Sequence, residues 1–328
     1  MQIQLKNFVF LLILLTFACG NSRNPVDPEG NAKLGFYFLE NDTLSGIDIS
    51  EMPIKDLSLK KESWLSAEDM VRYDFSSHLI YLNRDKYEIY KNFEIEGRLL
   101  LTGKPFIVVA NGKRCYVAAF QSSYSSFAML SPAIMDYQPE LIYYPSDIIS
   151  LSSGSPKDDD VRNNSDVKQA LSELGLLHEG LSVALNSIQV IENGDTATVR
   201  YSYTLTNHDS DNLLVLDPEK AGNDWFHFFC PALTILDRNQ EYYTATKRKH
   251  GRPDPEVRWD AAWFTVLESG SSITRTVDLK GFSEIPVGNY SSYFTFNHPS
   301  VIEGNSLTTA EGRYWLGWIT SDNFEFKI

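Results

Sequence analysis

The chain has 328 residues, 43% of them hydrophobic, and 43 acidic against 29 basic residues give it a formal net charge of −14. The length suggests about two domains, and an acidic surface repels phosphate backbones, which argues against nucleic acid as a partner. Beyond the N-terminal segment no apolar run approaches the roughly 20 residues needed to cross a bilayer, so the body is expected to be water-soluble.

The chain opens with a basic Lys6, an unbroken apolar run from Phe8 to Leu15, and then Thr16-Phe17-Ala18-Cys19-Gly20. A charged start, a short apolar core and a small-residue cleavage site make a secretory signal. The last five residues resemble the lipobox of bacterial lipoproteins, in which a small residue precedes an invariant cysteine. The resemblance implies cleavage before Cys19, acylation of its thiol and new amino terminus with palmitate-type chains, and a membrane as partner through that lipid. Residues 1–18 are then signal peptide, and the body is exported and lipid-anchored in a bacterial cell envelope or periplasm. Thr16 and Phe17 depart from the family pattern, which favours Leu and a small residue there. Ordinary cleavage after Ala18, releasing a secreted protein, is therefore the alternative. Residues 19–33 are polar, carry two prolines, and read as a flexible tether.

Residues 34–175 read as a small α+β domain. Leu34–Leu39 is a strand, with weaker strands at Ile47–Ile49 and Leu57–Leu59. Ser66 caps a short helix, His78–Leu82 is a strand, and Asp85–Tyr90 forms a helical turn. Asn111-Gly112 between Pro105–Ala110 and Cys115–Phe120 predicts a hairpin with a type I′ turn. Tyr124–Pro139 is irregular, Leu141–Tyr144 and Asp147–Leu151 are short strands, and Ser152–Asn164 is a loop. A closing helix is capped by Ser165, carries an apolar stripe of Val167, Ala170, Leu171 and Leu174, and stops at Gly175.

Residues 181–328 change to β. The runs either side of Asn193-Gly194-Asp195 predict a long hairpin in which Val199, Tyr201, Tyr203 and Leu205 alternate with polar residues. Further strands are expected at Leu213–Leu216, Ala232–Leu236, Glu241–Thr246, Trp263–Leu267, Ile273–Leu279, Tyr290–Phe296, Tyr314–Ile319 and Phe324–Lys327, with almost no helix. Ala221–Pro231 and Lys247–Ala262 look like insertions. The strand ending Tyr203–Asn207, the Ser-rich turn before Ile273–Val277, and Pro286–Tyr290 resemble an immunoglobulin-like domain of bacterial exported proteins. That resemblance implies an antiparallel β-sandwich with Tyr290 as a tyrosine corner. The fold expected for the whole is mainly β: a small α+β domain followed by an Ig-like sandwich.

Chemistry is sparsely marked. His178-Glu179 begins like a zinc-protease motif, but no second histidine follows one turn on, so no metal is assigned. Asp158–Asp160 lacks the calcium-loop pattern, and Asp209 and Asp211 beside His208 read as turn residues. His227, in Trp225–Phe229, reads as a packed histidine. There is no G-x-S-x-G elbow and no cofactor motif. With Cys19 lipidated, Cys115 and Cys230 remain; an exported pair could form a disulfide, while their apolar surroundings fit buried free thiols. Lys247–Arg252 is a basic cluster in an expected loop. Among the abundant aromatics, Trp259 with Trp263 and Trp315 with Trp318 are candidates for stacking on a glycan or partner. The reading is a non-enzymatic envelope lipoprotein with an unidentified protein or glycan partner; the alternative is an envelope hydrolase acting on glycan.

Overall fold

The computed structural model describes residues 32–92, 98–122, 125, 132–135, 144–153, 160–193, 196–230, 232–239, 241–243, 260–283, 285–298 and 307–328. Cys19, the tether up to residue 31, Trp259, the 247–252 basic cluster, Asp158, Asp159 and the 141–143 strand segment lie outside the described residues. The protein is mainly β, with several multi-stranded sheets arranged as a sandwich. No helix among the described residues is long and apolar enough to cross a membrane.

The first five-stranded sheet has the order β2-β1-β5-β6-β7. Its strands are β1 (Leu34–Phe38), β2 (Leu65–Ser66), β5 (Lys104–Ala110), β6 (Lys113–Phe120) and β7 (Ala133–Ile134). Asn111 and Gly112 both adopt positive φ, 49° and 72°, as the tight turn joining β5 to β6 demands. Strands β1 and β5 are buried along their whole length, so both faces must be covered. One face packs Phe36, Phe38, Phe106 and Val108 into the main core. The other sets Tyr37, Ile107 and Val109 against Ile49, Leu57 and Leu59. This corrects two expected strands: residues 47–49 lie in a turn, and Leu59 makes only an isolated bridge to Leu39. Their apolar side chains serve as a lid on the sheet rather than as part of it.

A second sheet, β8-β4-β3-β9, closes the main core. It contains β3 (Met70–Asp74), β4 (Leu79–Leu82), β8 (Ile148–Ser150) and β9 (Leu177–His178). The turn Ala67–Asp69 that precedes β3 is a single 3-10 turn, with Asp69 Oδ2 accepting from the Ser66 backbone N–H at 2.9 Å. Asp85 caps the helix Lys86–Tyr90 through Tyr87 N–H. The helix Ser165–Glu173 buries Val167, Ala170 and Leu171. Its cap is Asn164 rather than Ser165: Asn164 Oδ1 accepts from Asp166 N–H at 3.0 Å and Val167 N–H at 3.2 Å.

Two residues after β9 the chain enters the long hairpin of β10 (Leu181–Asn193) and β11 (Thr196–Asn207). Strand β16 (Ser272–Ser283) completes a three-stranded sheet, β10-β11-β16. Facing it are β14-β13-β17-β19, with β20 on β17, and the smaller sheet β15-β12-β18. Their ranges are β12 (Leu213–Leu216), β13 (Ala232–Asp237), β14 (Tyr242–Tyr243), β15 (Phe264–Leu267), β17 (Asn289–Asn297), β18 (Arg313–Tyr314), β19 (Trp318–Thr320) and β20 (Phe324–Lys327). Val199, Tyr201, Tyr203 and Leu205 fill the core with Leu233, Ile235, Phe294 and Phe296, as alternation on a half-buried strand requires. The expected strand Tyr314–Ile319 is broken at Gly317, whose φ is +103° and where a Cβ would lie 2.5 Å from Ser77 Cβ. Among the described residues, α-helix in this stretch is confined to Pro218–Ala221 and Asn223–Phe229, and Phe226 and His227 of the second are buried.

Candidate functional site

A group of buried charged side chains lies where the two stretches meet. Strand β3 ends at Asp74, and its turn into β4 is held by that carboxylate: Oδ1 accepts from Ser76 Oγ–H at 2.7 Å and Ser77 N–H at 3.2 Å. Ser76 Oγ in turn accepts from Leu181 N–H at 3.1 Å and Trp315 Nε1–H at 3.0 Å, so one hydroxyl ties the turn to the first residue of β10 and to the residue that follows β18. Gly180 makes the approach possible: its φ is +74°, and a Cβ there would lie 2.1 Å from Ser76 Oγ.

Strand β9 runs parallel to β3 with His178 opposite Asp74. Its Nδ1 lies 2.9 Å from Asp209 Oδ1 and 3.6 Å from Asp211 Oδ2. Asp209 follows β11 in a turn that it also stabilises, accepting from Asp211 N–H at 3.1 Å. Arg313, at the start of β18, donates from Nη2 to Asp74 Oδ2 at 3.0 Å and to Asp209 Oδ2. The side chains of Asp74 and Asp209 are wholly buried and that of Arg313 is 2% exposed, so these charges depend on one another. Burial would raise the Asp209 carboxyl, but the His178 contact and the Arg313 charge outweigh it and hold the group well below the usual carboxylate range. The same carboxylates keep the buried Arg313 charged.

Asp209 and Asp211 are therefore more than turn residues, and His178 finds acidic neighbours that no local motif announced. The partners lie 31, 104 and 239 positions apart in the chain. Only the loop residues His208–Asp211, polar and directly after a strand, hinted at them.

The other predicted residues stay apart. Trp315 is fully buried in the sandwich core, which removes its ring as a surface for a ligand. Trp263 is half-buried, with its ring 5.0 Å from that of Trp225, and Trp318 is 48% exposed. Cys115 and Cys230 are both free, which corrects the disulfide. They belong to different cores: Cys115, on β6, packs partly buried against the first core, and Cys230 lies inside the sandwich core. Burial pushes the Cys115 thiol up to about 11 and that of Cys230 to about 12. His227 is packed against Tyr201, with ring centroids 6.0 Å apart. Ser182 Oγ and His208 Nε2 lie 2.7 Å apart on the exposed face.

No protein-family model matches the chain, and no curated protein matches it.

Proposed function

We propose that the protein is a lipid-anchored component of a bacterial cell envelope, held through Cys19, whose Ig-like sandwich binds a protein or glycan partner without chemistry of its own. The observation that carries the binding role is the outer face of the β10-β11-β16 sheet. Along it, hydroxyls, an amide and an ion pair are held by cross-strand hydrogen bonds. Thr204 pairs with Thr274 and with Asn186 at 2.8 Å each, and Thr206 with Ser272 at 2.8 Å. Arg200 and Asp278 continue the same row at 2.7 Å. A broad polar surface with its rotamers already set loses little side-chain entropy on association, which suits recognition of a flat partner. The Ig-like assignment is supported by Tyr290, whose hydroxyl donates to Pro286 O four residues upstream as a tyrosine corner does. Envelope anchoring is supported by the Phe8–Gly20 stretch and the polar tether behind it.

The test is affinity recovery of the tagged chain from gently cross-linked native membranes. Three forms are compared: the wild type, Cys19→Ala, and Thr204→Glu with Thr274→Glu. One envelope protein or glycan should come down in stoichiometric amount with the wild type, weakly with Cys19→Ala, and not with the sheet-face variant. Equal recovery by the sheet-face variant refutes the binding face. A Cys19→Ala chain that stays with the membrane refutes the anchor. Bond cleavage across a panel of envelope glycans refutes the non-enzymatic reading.

A further inference from the structure

The ligand-capable atoms of His178, Asp209 and Asp211 all lie within 4.8 Å of one another. Two ligand atoms on one ion at bond lengths of about 2.0–2.2 Å are separated by roughly 3–3.6 Å; the separations from His178 Nδ1 are 2.9 and 3.6 Å. Asp209 divides its oxygens: Oδ1 faces His178 and Oδ2 is bound by Arg313. A carboxylate whose second oxygen is already tied down is oriented for coordination with its first.

Charge points the same way. Asp74, Asp209 and Asp211 bring three formal negative charges and Arg313 brings one positive, so with a neutral imidazole the group stands two charges short of neutrality. Two of those carboxylates are wholly buried, where an uncompensated charge is costly. A divalent ion closes that deficit.

Arg313 supplies an independent observation. Its side chain is nine-tenths buried or more, yet its Nε and Nη1 have no hydrogen-bond partner among the described residues. Nε faces Asp211 Oδ2 across 3.8 Å, too far for a hydrogen bond. An oxygen ligand completing an ion's coordination shell is the kind of acceptor these buried N–H groups lack. Asp211, with its side chain 48% exposed, leaves the site open to solvent.

We propose that His178, Asp209 and Asp211 bind one divalent transition-metal ion, with Arg313 holding Asp209 in place and facing the ion's exchangeable oxygen ligand. One imidazole nitrogen and two carboxylate oxygens suit zinc and its first-row neighbours, whereas calcium takes six to eight oxygens.

The experiment uses the full chain in detergent, stripped with a chelator, with zinc chloride as the probe. Wild type, Asp211→Asn and His178→Gln are titrated by calorimetry, and bound zinc is counted by elemental analysis after dialysis. One zinc per chain is expected in the wild type. Each variant should bind at least about tenfold more weakly, since even partners of the ligands affect affinity on that scale. Zinc should also raise the melting temperature of the wild type more than that of Asp211→Asn. The exposed position of Asp211 keeps this variant folded, and its metal-free melting temperature serves as the control. Wild type that retains no zinc, or zinc held equally by all three chains, overturns the proposal.

Discussion

His78 shows how one residue couples shape to pH. Its backbone φ is +52°, a value most side chains avoid, and its ring is buried between Tyr73 and Asp160. Nδ1 meets the Tyr73 hydroxyl at 3.1 Å, while Asp160, 3.9 Å from Nε2, is itself clasped by Arg162. Burial, reinforced by the Arg162 charge and only partly opposed by Asp160, pushes the imidazole down to about 3. The folded protein therefore holds a neutral ring while the unfolded chain takes up a proton below about pH 6.5. Stability is intact above that value and is lost as pH falls toward 3. The loss contributed by this ring between pH 6.5 and 4.5 is about 2 kcal/mol. His78→Asn, which tolerates the positive φ and does not titrate, should flatten that part of the profile in urea unfolding at several pH values. Equal slopes in the two proteins would show that the ring does not carry the effect. None of this was visible in the sequence beyond a histidine opening an apolar run. His178 was visible only as a failed motif, because its acidic neighbours arrive from another strand-end and the arginine from a third.

Elements were more legible, because their signals are local. Asn111-Gly112 named its turn, and the period-two alternation of Val199 to Leu205 named its buried face. Where the reading slipped, a tertiary demand decided. In β10 the buried residues run Leu181, Val183, Leu185, and then the phase shifts to partly buried Ile188 and Val190, because the pairing with β11 slips between Leu185 and Ser187. The apolar residues of Ile47–Ile49 and Leu57–Leu59 were expected in strands, yet Ile49, Leu57 and Leu59 instead cover a face of the first sheet. At the helix Ser165–Glu173 two adjacent cap-forming residues compete, and the side-chain oxygen of Asn164 takes two of the free N–H groups. Asn164→Ala should cost about 1 kcal/mol in chemical denaturation, whereas Ser165→Ala, already inside the helix, should be nearly neutral. The reverse ranking would restore Ser165 as the cap.

For the molecule as a whole, the two stretches that the sequence separates by composition share an apolar cluster. Leu79, Tyr81, Tyr144 and Ile148 of the first stretch belong to the same apolar cluster as the sandwich core. Only Glu179 and Gly180 intervene between β9 and β10, so the chain passes from one sheet into the next without slack. Across this seam Arg313 of the second stretch is bonded to Asp74 of the first and to Asp209 of its own. Such a clasp adds little over apolar packing when complete, but removing one partner leaves buried charge without compensation. Arg313→Met should therefore lower stability by about 3–5 kcal/mol. Adding Asp74→Asn and Asp209→Asn to it should recover part of the loss, since the stranded charges are then gone. In the wild type, tryptophan fluorescence and far-ultraviolet dichroism should follow a single coincident unfolding transition. In Arg313→Met the two probes should diverge as the stretches lose their common seam. Coincident transitions in both proteins, with no recovery in the triple variant, would mean that the shared apolar cluster alone joins the stretches and that the buried arginine is incidental to it.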